Sequence, residues 1–166
     1  MNLTSDQRQF LLFFAYNVIP LIKYNSSARN ACRNTYSMYA RRGQAVDGAR
    51  KAIEDLCGEC EFSDETIKPF IKAIVAHFQG GKHVRKKLTK EEQDALLIAC
   101  GMKCQHCGKL LTDINFDHIL PFCLVFETIE NNRQCLCPEC NRAKAANIPT
   151  SNVKRNQVDE ISRVPA

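Results

Sequence analysis

Two C-x-x-C pairs, Cys104-Gln105-His106-Cys107 and Cys137-Pro138-Glu139-Cys140, offer four thiolates at a spacing that suits one tetrahedral zinc. Four sulfur ligands close the coordination sphere, so such an ion holds structure and does no chemistry. Yet Asp117-His118 and Asn132 lie between the pairs, and Asn141, Arg142 and Lys144 follow directly. A structural zinc needs none of these. An imidazole that titrates near neutrality can take a proton from water. A carboxylate and an amide oxygen suit a hard divalent cation, Mg²⁺ or Mn²⁺. Arginine and lysine answer phosphate charge. Together these groups are what hydrolysis of a phosphodiester calls for. Each has a plainer reading when taken alone. A lone histidine more often packs or hydrogen-bonds inside a hairpin, and Arg142 and Lys144 read as solvated helix charges.

The elements that must hold these residues follow from caps and periodicity. After the first cysteine pair, Lys109 to Leu111 and Ile114 to Ile119 predict a short hairpin turning at Thr112-Asp113. Asp117 and His118 then point to opposite faces unless the strand twists or ends there. A long loop from Pro121 to Asn131 follows, and its run from Phe122 to Phe126 is apolar enough to predict packing against the rest of the chain. Asn141 to Ala146 predicts a short helix opened by Asn141, with an N-terminus that would favour phosphate. Upstream, Thr89-x-x-Glu92 is a capping box for a helix running to about Cys100 and stopped by Gly101. Before it, residues 1–88 read as helices. The first opens at Thr4 or Ser5 and runs to about Asn17, with Pro20 ending or bending it. The next two cover Ala28 to Arg41 and Ala45 to Leu56, and a fourth starts at Ser63 and restarts or kinks at Pro69. Gly80-Gly81 then breaks the chain. Lys82 to Lys87 is a basic linker: a solvated hinge or, through Lys86 and Lys87, a strap on phosphate.

In the pieces Cys104-x-x-Cys107-Gly108, Asp117-His118-Ile-x-Pro121, Asn132 and Cys137-x-x-Cys140-Asn141-x-x-Lys144, the sequence resembles the HNH family of nucleases. The likeness covers roughly residues 100–147. It implies a ββα-metal fold and a divalent-metal-dependent endonuclease acting on DNA, leaving a 5′-phosphate and a 3′-hydroxyl. It implies His118 as general base, with Asp117 and Asn141 as ligands of a catalytic Mg²⁺ or Mn²⁺. Asn132 would orient the histidine and pin the loop, while Arg142 and Lys144 would meet phosphate. Two departures stand out. The loop after Pro121 is apolar where many members carry glycine, and Asn141 stands where others have histidine. The competing class is a zinc module that binds nucleic acid or a protein partner without cutting. Retention of both Asp117 and His118 argues against it.

A chain of 166 residues, 45% of them hydrophobic, can bury one real core and a small second one. Its ten cysteines fall largely in C-x-x-C pairs, which reads as thiolates in a reducing compartment rather than a disulfide framework. Cys57-Gly58-Glu59-Cys60 predicts ordinary thiols at a helix end, because a full helix separates it from His77. Residues 1–88 carry 14 Lys and Arg against 8 Asp and Glu, whereas residues 89–166 carry 9 against 10. Long-range attraction of a polyanion therefore falls to the helical part. The same excess also serves plain solubility. The apolar run Phe10 to Ile22 is interrupted by Asn17 and Pro20, is preceded by Asp6, and is too short to span a bilayer. It reads as a buried helix, with no membrane role and a cytoplasmic location as the default. The whole predicts an α+β, mostly α, protein in three parts. Residues 1–88 form a helical domain for DNA binding, dimerisation or both; residues 89–150 form the zinc-stapled ββα module; residues 151–166 are a polar tail. A homodimer would let a site that cuts one strand cut two.

Overall fold

Side-chain caps and glycines set most helix ends. In the computed structural model, which describes residues 3–148, the Thr4 hydroxyl accepts from the Gln7 amide and Gln7 answers the Thr4 amide. That capping box opens α1 (Ser5–Phe13). Pro20 does not end this helical run. A π-helical turn, Phe14–Val18, carries it into α2 (Ile19–Lys23), and the Ile19 amide reaches back to the Phe14 carbonyl. Slipping the ladder by one residue places Pro20 in the first turn of α2, where its missing N–H is least costly. The Asn17 amide group donates to the Phe13 carbonyl at 3.0 Å and stitches the slip.

Asn25 caps α3 (Ser26–Ala40), and α4 follows at Ala45–Cys57. The two helices cross closely because residue 48 is glycine: a Cβ there would stand 2.7 Å from Tyr39 Cβ and 3.0 Å from the Tyr36 carbonyl oxygen. Ser63 caps α5 (Asp64–Ile67), and Pro69 sits in a single 3₁₀ turn before α6 (Ile71–Gln79). Gly80, at φ 65°, ends α6 in the left-handed region. These helices bury Phe10, Phe14, Ile53, Ile67, Phe70 and Ile74 in one core, with the Phe10 ring 6.0 Å from Phe14 and 5.9 Å from Phe70. No helix among the described residues is long and apolar enough to cross a membrane.

Beyond an exposed, irregular stretch at 81–87, the Thr89–Glu92 capping box opens α7 (Lys90–Ala99). Then come β1 (Asn115–His118), a short α8 (Phe122–Val125), β2 (Arg133–Leu136) and α9 (Pro138–Lys144). The strands run antiparallel, with Asn115 opposite Leu136 and His118 opposite Arg133. The hairpin expected at Thr112-Asp113 does not form. Leu110 makes one bridge back to Lys103, and the Cys104 and Leu111 amides bond the Lys109 and Met102 carbonyls at 2.8 Å each. The backbone of 109–111 is thus used to close the first cysteine knuckle, and β1 finds its partner past the loop. Nor does Asn141 open the last helix. Pro138 does, and the Asn141 amide is already bonded to the Cys137 carbonyl at 3.0 Å. No free N–H remains there for the phosphate expected at a helix start.

The core does not divide at residue 88. Leu120, Leu124 and Val125 enter the helical core from the segment between the strands, which realises the packing expected of that apolar loop. A second, smaller core holds Cys104, Leu111, Cys135 and Leu136, with Leu96 and Leu97 of α7 against it. The described chain is therefore mostly helical, with one two-stranded sheet.

Candidate functional site

The four cysteines converge. The Sγ atoms of Cys104, Cys107, Cys137 and Cys140 all lie within 4.8 Å of one another, and Cys107 and Cys137 are 3.9 Å apart. Tetrahedral zinc, with Zn–S of about 2.3 Å, requires sulfurs about 3.8 Å apart. The first pair is held by the knuckle itself, where the Gly108 amide bonds the Cys104 carbonyl at 2.8 Å. Cys137 caps α9 and Cys140 sits in its first turn. Gln105 ties the knuckle to β2: its amide donates to the Cys135 carbonyl at 3.0 Å, and its side-chain oxygen accepts from the Cys135 amide at 2.8 Å. Burial pushes the Cys104 thiol up, but backbone N–H groups of Cys107, Cys137 and His106 outweigh it and bring it down to about 6. Burial and the neighbouring sulfurs push Cys140 up. One thiolate forms readily, and Cys137 and Cys140 need a cation to follow. The donor set fits zinc. His106 is exposed and is not part of this cluster. Cys57 and Cys60 join no such cluster among the described residues; Cys57 donates to the Ile53 carbonyl at 3.1 Å, as a thiol at a helix end does.

His118 ends β1 and is 2% exposed. Its Nε2 lies 3.2 Å from Glu127 Oε1, and the Phe122 ring is 5.4 Å away. The same Glu127 oxygen accepts from Arg133 Nη2 at 2.7 Å and from the Lys86 amide at 2.9 Å. Burial, then the Arg133 charge, lowers the His118 pKa, with Glu127 acting against them. Burial would raise Glu127, but the Lys86 amide and Arg133 prevail and hold its carboxyl below the usual range. With the ring neutral, the carboxylate sets the tautomer. A carboxylate only accepts, so Nε2 carries the proton and Nδ1 keeps the lone pair.

Asp117 is half-buried, and its Oδ2 lies 2.9 Å from Lys144 Nζ. The contact is ionic rather than a directed hydrogen bond: Oδ2 is buried and no donor satisfies it. A carboxylate oxygen in that state suits a cation as its partner. Lys144 and Asn141 are three residues apart on α9 and share a face. A carboxylate and an amide are donor types that a hard divalent ion takes, and here the Lys144 ammonium lies against the carboxylate. Lys144, expected to meet phosphate, is paired with Asp117 in this structure. Its side chain is 16% exposed and engaged. Arg142, 73% exposed, lies 3.8 Å from Glu139 at the helix surface.

Asn132 is buried and holds the backbone just past the histidine. Its Oδ1 accepts from the Leu120 amide at 2.7 Å and its Nδ2 donates to the Leu120 carbonyl at 3.1 Å. Both of these bonds go to the Leu120 backbone, which suits a positioning role. Lys86, expected on phosphate, has partners of its own here. Its ammonium pairs with Glu92 at 2.5 Å, and its carbonyl accepts from Arg133 at 3.0 Å. What it brings to the site is its backbone. Lys87 is exposed.

Glu127 escaped the sequence reading. No motif marks it, because its role comes from partners spread from residue 86 to residue 133. The nearest signal was an acidic residue closing an otherwise apolar run. The chain matches no family model, no curated protein and no solved structure.

Proposed function

We propose that this protein is a divalent-metal-dependent nuclease of the HNH type that hydrolyses phosphodiester bonds of DNA. One observation carries the reading. The His118 imidazole lies 3.2 Å from the Glu127 carboxylate, one residue from Asp117, whose buried Oδ2 has the Lys144 ammonium beside it and no directed hydrogen bond. His118 Nδ1 takes the proton of the attacking water. Glu127 holds the ring and steadies the imidazolium that results. Asp117 and Asn141 would hold Mg²⁺ or Mn²⁺, which when bound supplies positive charge against the phosphorane and the leaving oxygen. Asn132 keeps Leu120, and through it the end of β1, in register. Cys104, Cys107, Cys137 and Cys140 would hold a structural zinc that fixes α9 against the strands. Arg142, Lys87 and the basic excess of residues 1–88 would supply attraction for the polyanion.

Plasmid incubated with the protein and Mg²⁺ or Mn²⁺ should be nicked or linearised. His118→Ala should slow this by about 10²–10⁴ while zinc content and far-UV circular dichroism stay unchanged. Glu127→Gln keeps the shape and drops the charge, so it should lower kcat and leave KM for DNA in place. Full activity in His118→Ala removes the residue from the mechanism. A second reading, a zinc module that binds nucleic acid or protein without cutting, has one observation in its favour: His118 is 2% exposed. Absence of cutting by the wild type at any divalent ion, with zinc bound, decides for it.

A further inference from the structure

We propose that the cleft between α2, α3, α6 and α8 binds an unpaired nucleobase, stacked on Phe126 in the place now taken by His83. The inference rests on the nuclease reading for its kind of polymer and narrows that polymer to strands with an unpaired base. The cleft measures about 570 Å³, within the ~300–1,000 Å³ of small-molecule sites. Ile19, Ile22 and Leu124 make apolar wall, Phe122 and Phe126 make aromatic wall, and Lys23 and Arg29 supply positive charge. Aromatic faces joined to cations are what single-stranded nucleic acid uses, because every base has a flat face and every linkage a charge.

His83 shows that the platform accepts a flat heterocycle. Its ring lies 3.6 Å from the Phe126 centroid at an interplanar angle of 14°. It is an exposed residue on a stretch with no helix or strand, so little but the stack and its neighbours holds it. Two residues on, Arg85 lies over Phe122 at 5.1 Å, and then the Lys86 amide bonds Glu127. The stretch thus lies along both rings and reaches the carboxylate that holds His118. Phe122 joins cleft and site, its ring 5.7 Å from Phe126 and 5.4 Å from His118. A base on Phe126 puts its own backbone about one ring away from the imidazole. By taking the place of His83 it also loosens the stretch whose amide bonds Glu127. A strand entering the cleft thereby opens the way for water to a histidine that is otherwise buried.

The test is binding, kept apart from cutting. A fluorescein-labelled oligothymidylate and a labelled duplex are titrated with the full zinc-bound chain, without added Mg²⁺, and read by anisotropy. Phe126→Ala should weaken the single strand by about tenfold or more and leave the duplex unchanged. His83→Ala, at an exposed position that does not threaten folding, should tighten the single strand by about two- to tenfold. His83→Trp should weaken it. Equal affinity of wild type and both His83 variants for the single strand overturns the proposal, as does binding confined to duplex. Plasmid cutting reads the other question separately. Cutting with no response to Phe126 or His83 sinks the cleft and spares the nuclease. Binding that follows these residues, with no cutting, does the reverse.

Discussion

Phe10, Phe14, Ile53, Ile67, Phe70 and Ile74 are each no more than 2% exposed in the helical core, whereas the smaller core of the cysteine-rich region holds just four buried residues among those described, Cys104, Leu111, Cys135 and Leu136. Hydrocarbon alone accounts for the first. The second has two four-residue strands, a seven-residue helix and half-covered leucines from α7, too little to stand on apolar burial. On the zinc reading its four clustered sulfurs would supply the rest through a cation. The difference explains where the candidate site lies. His118, Glu127 and Asn132 sit between the regions, at the segment that leaves β1, sends Leu120, Leu124 and Val125 into the helical core, and returns as β2. The candidate site thus lies where one region's rigidity is lent to the other.

Removing the metal should break the comparison most sharply. Structural zinc in small modules contributes about 10–16 kcal/mol of apparent binding free energy at neutral pH. Chelation, or Cys137→Ser, should strip amide-exchange protection from β1, β2 and α9 while α3, α4 and α6 keep theirs. Protection of β2 that survives the loss of zinc would show the small core to be self-sufficient. The converse experiment is Phe10→Ala. Its ring touches Phe14, Phe62 and Phe70 and is fully buried, so truncation should cost about 3–5 kcal/mol. Zinc stoichiometry below the melting point should not change. A variant that lost zinc in step with helix would mean the two regions fold as one.

The two regions were also unequally legible from sequence. Thr4, Ser63 and Thr89 cap helices through bonds to residues three positions on, and Gly80 ends one by its own conformation. Such signals are local, so the helices were readable almost to the residue. The π turn was not, because Pro20 announces a disrupted ladder without saying whether the chain stops or slips. In the small region the determinants are distant. β1 pairs with a strand beyond an entire loop, and four residues carry too little alternation to name a partner. The cysteines, Asp117, His118 and Asn132 were legible as residue types at fixed spacing. The bonds from Glu127 to His118 and Arg133, and the ion pair of Lys144 with Asp117, are facts of tertiary approach. No spacing encodes them.

Asn132 sharpens the comparison at smaller scale, because it performs with hydrogen bonds what zinc performs with sulfur. Asn132→Ala orphans both the amide and the carbonyl of Leu120, a residue that is 0% exposed. Each buried orphan costs about 1–3 kcal/mol. Thermal melts should show the loss. Cutting should fall more than stability explains, since the end of β1 would wander. Equal losses in stability and rate would make Asn132 a structural residue and nothing more.

The smallest effect is read at the joint itself. His77 of α6 donates from Nε2 to the Leu124 carbonyl of α8 at 2.8 Å, with its ring against Phe14 and Phe126. Burial lowers its pKa from 6.5 to about 4; the Leu124 carbonyl works against this and His83 adds to it. The folded state therefore keeps His77 neutral where the unfolded chain binds a proton. Between pH 6.5 and about 4 the unfolded state holds more protons, so stability falls as pH falls through that window. At 1.36 kcal/mol per pH unit the ceiling is about 3 kcal/mol, reduced by the part of the ring that water reaches. His77→Phe removes the titration and the bond to Leu124 together. It should start less stable at pH 7.5 and lose less on acidification to pH 5, where the cysteine cluster is kept loaded with excess zinc. If the variant and the wild type lose stability in parallel, the acid sensitivity belongs to the sulfur-held region. His77 would then join the two regions without setting their response to acid.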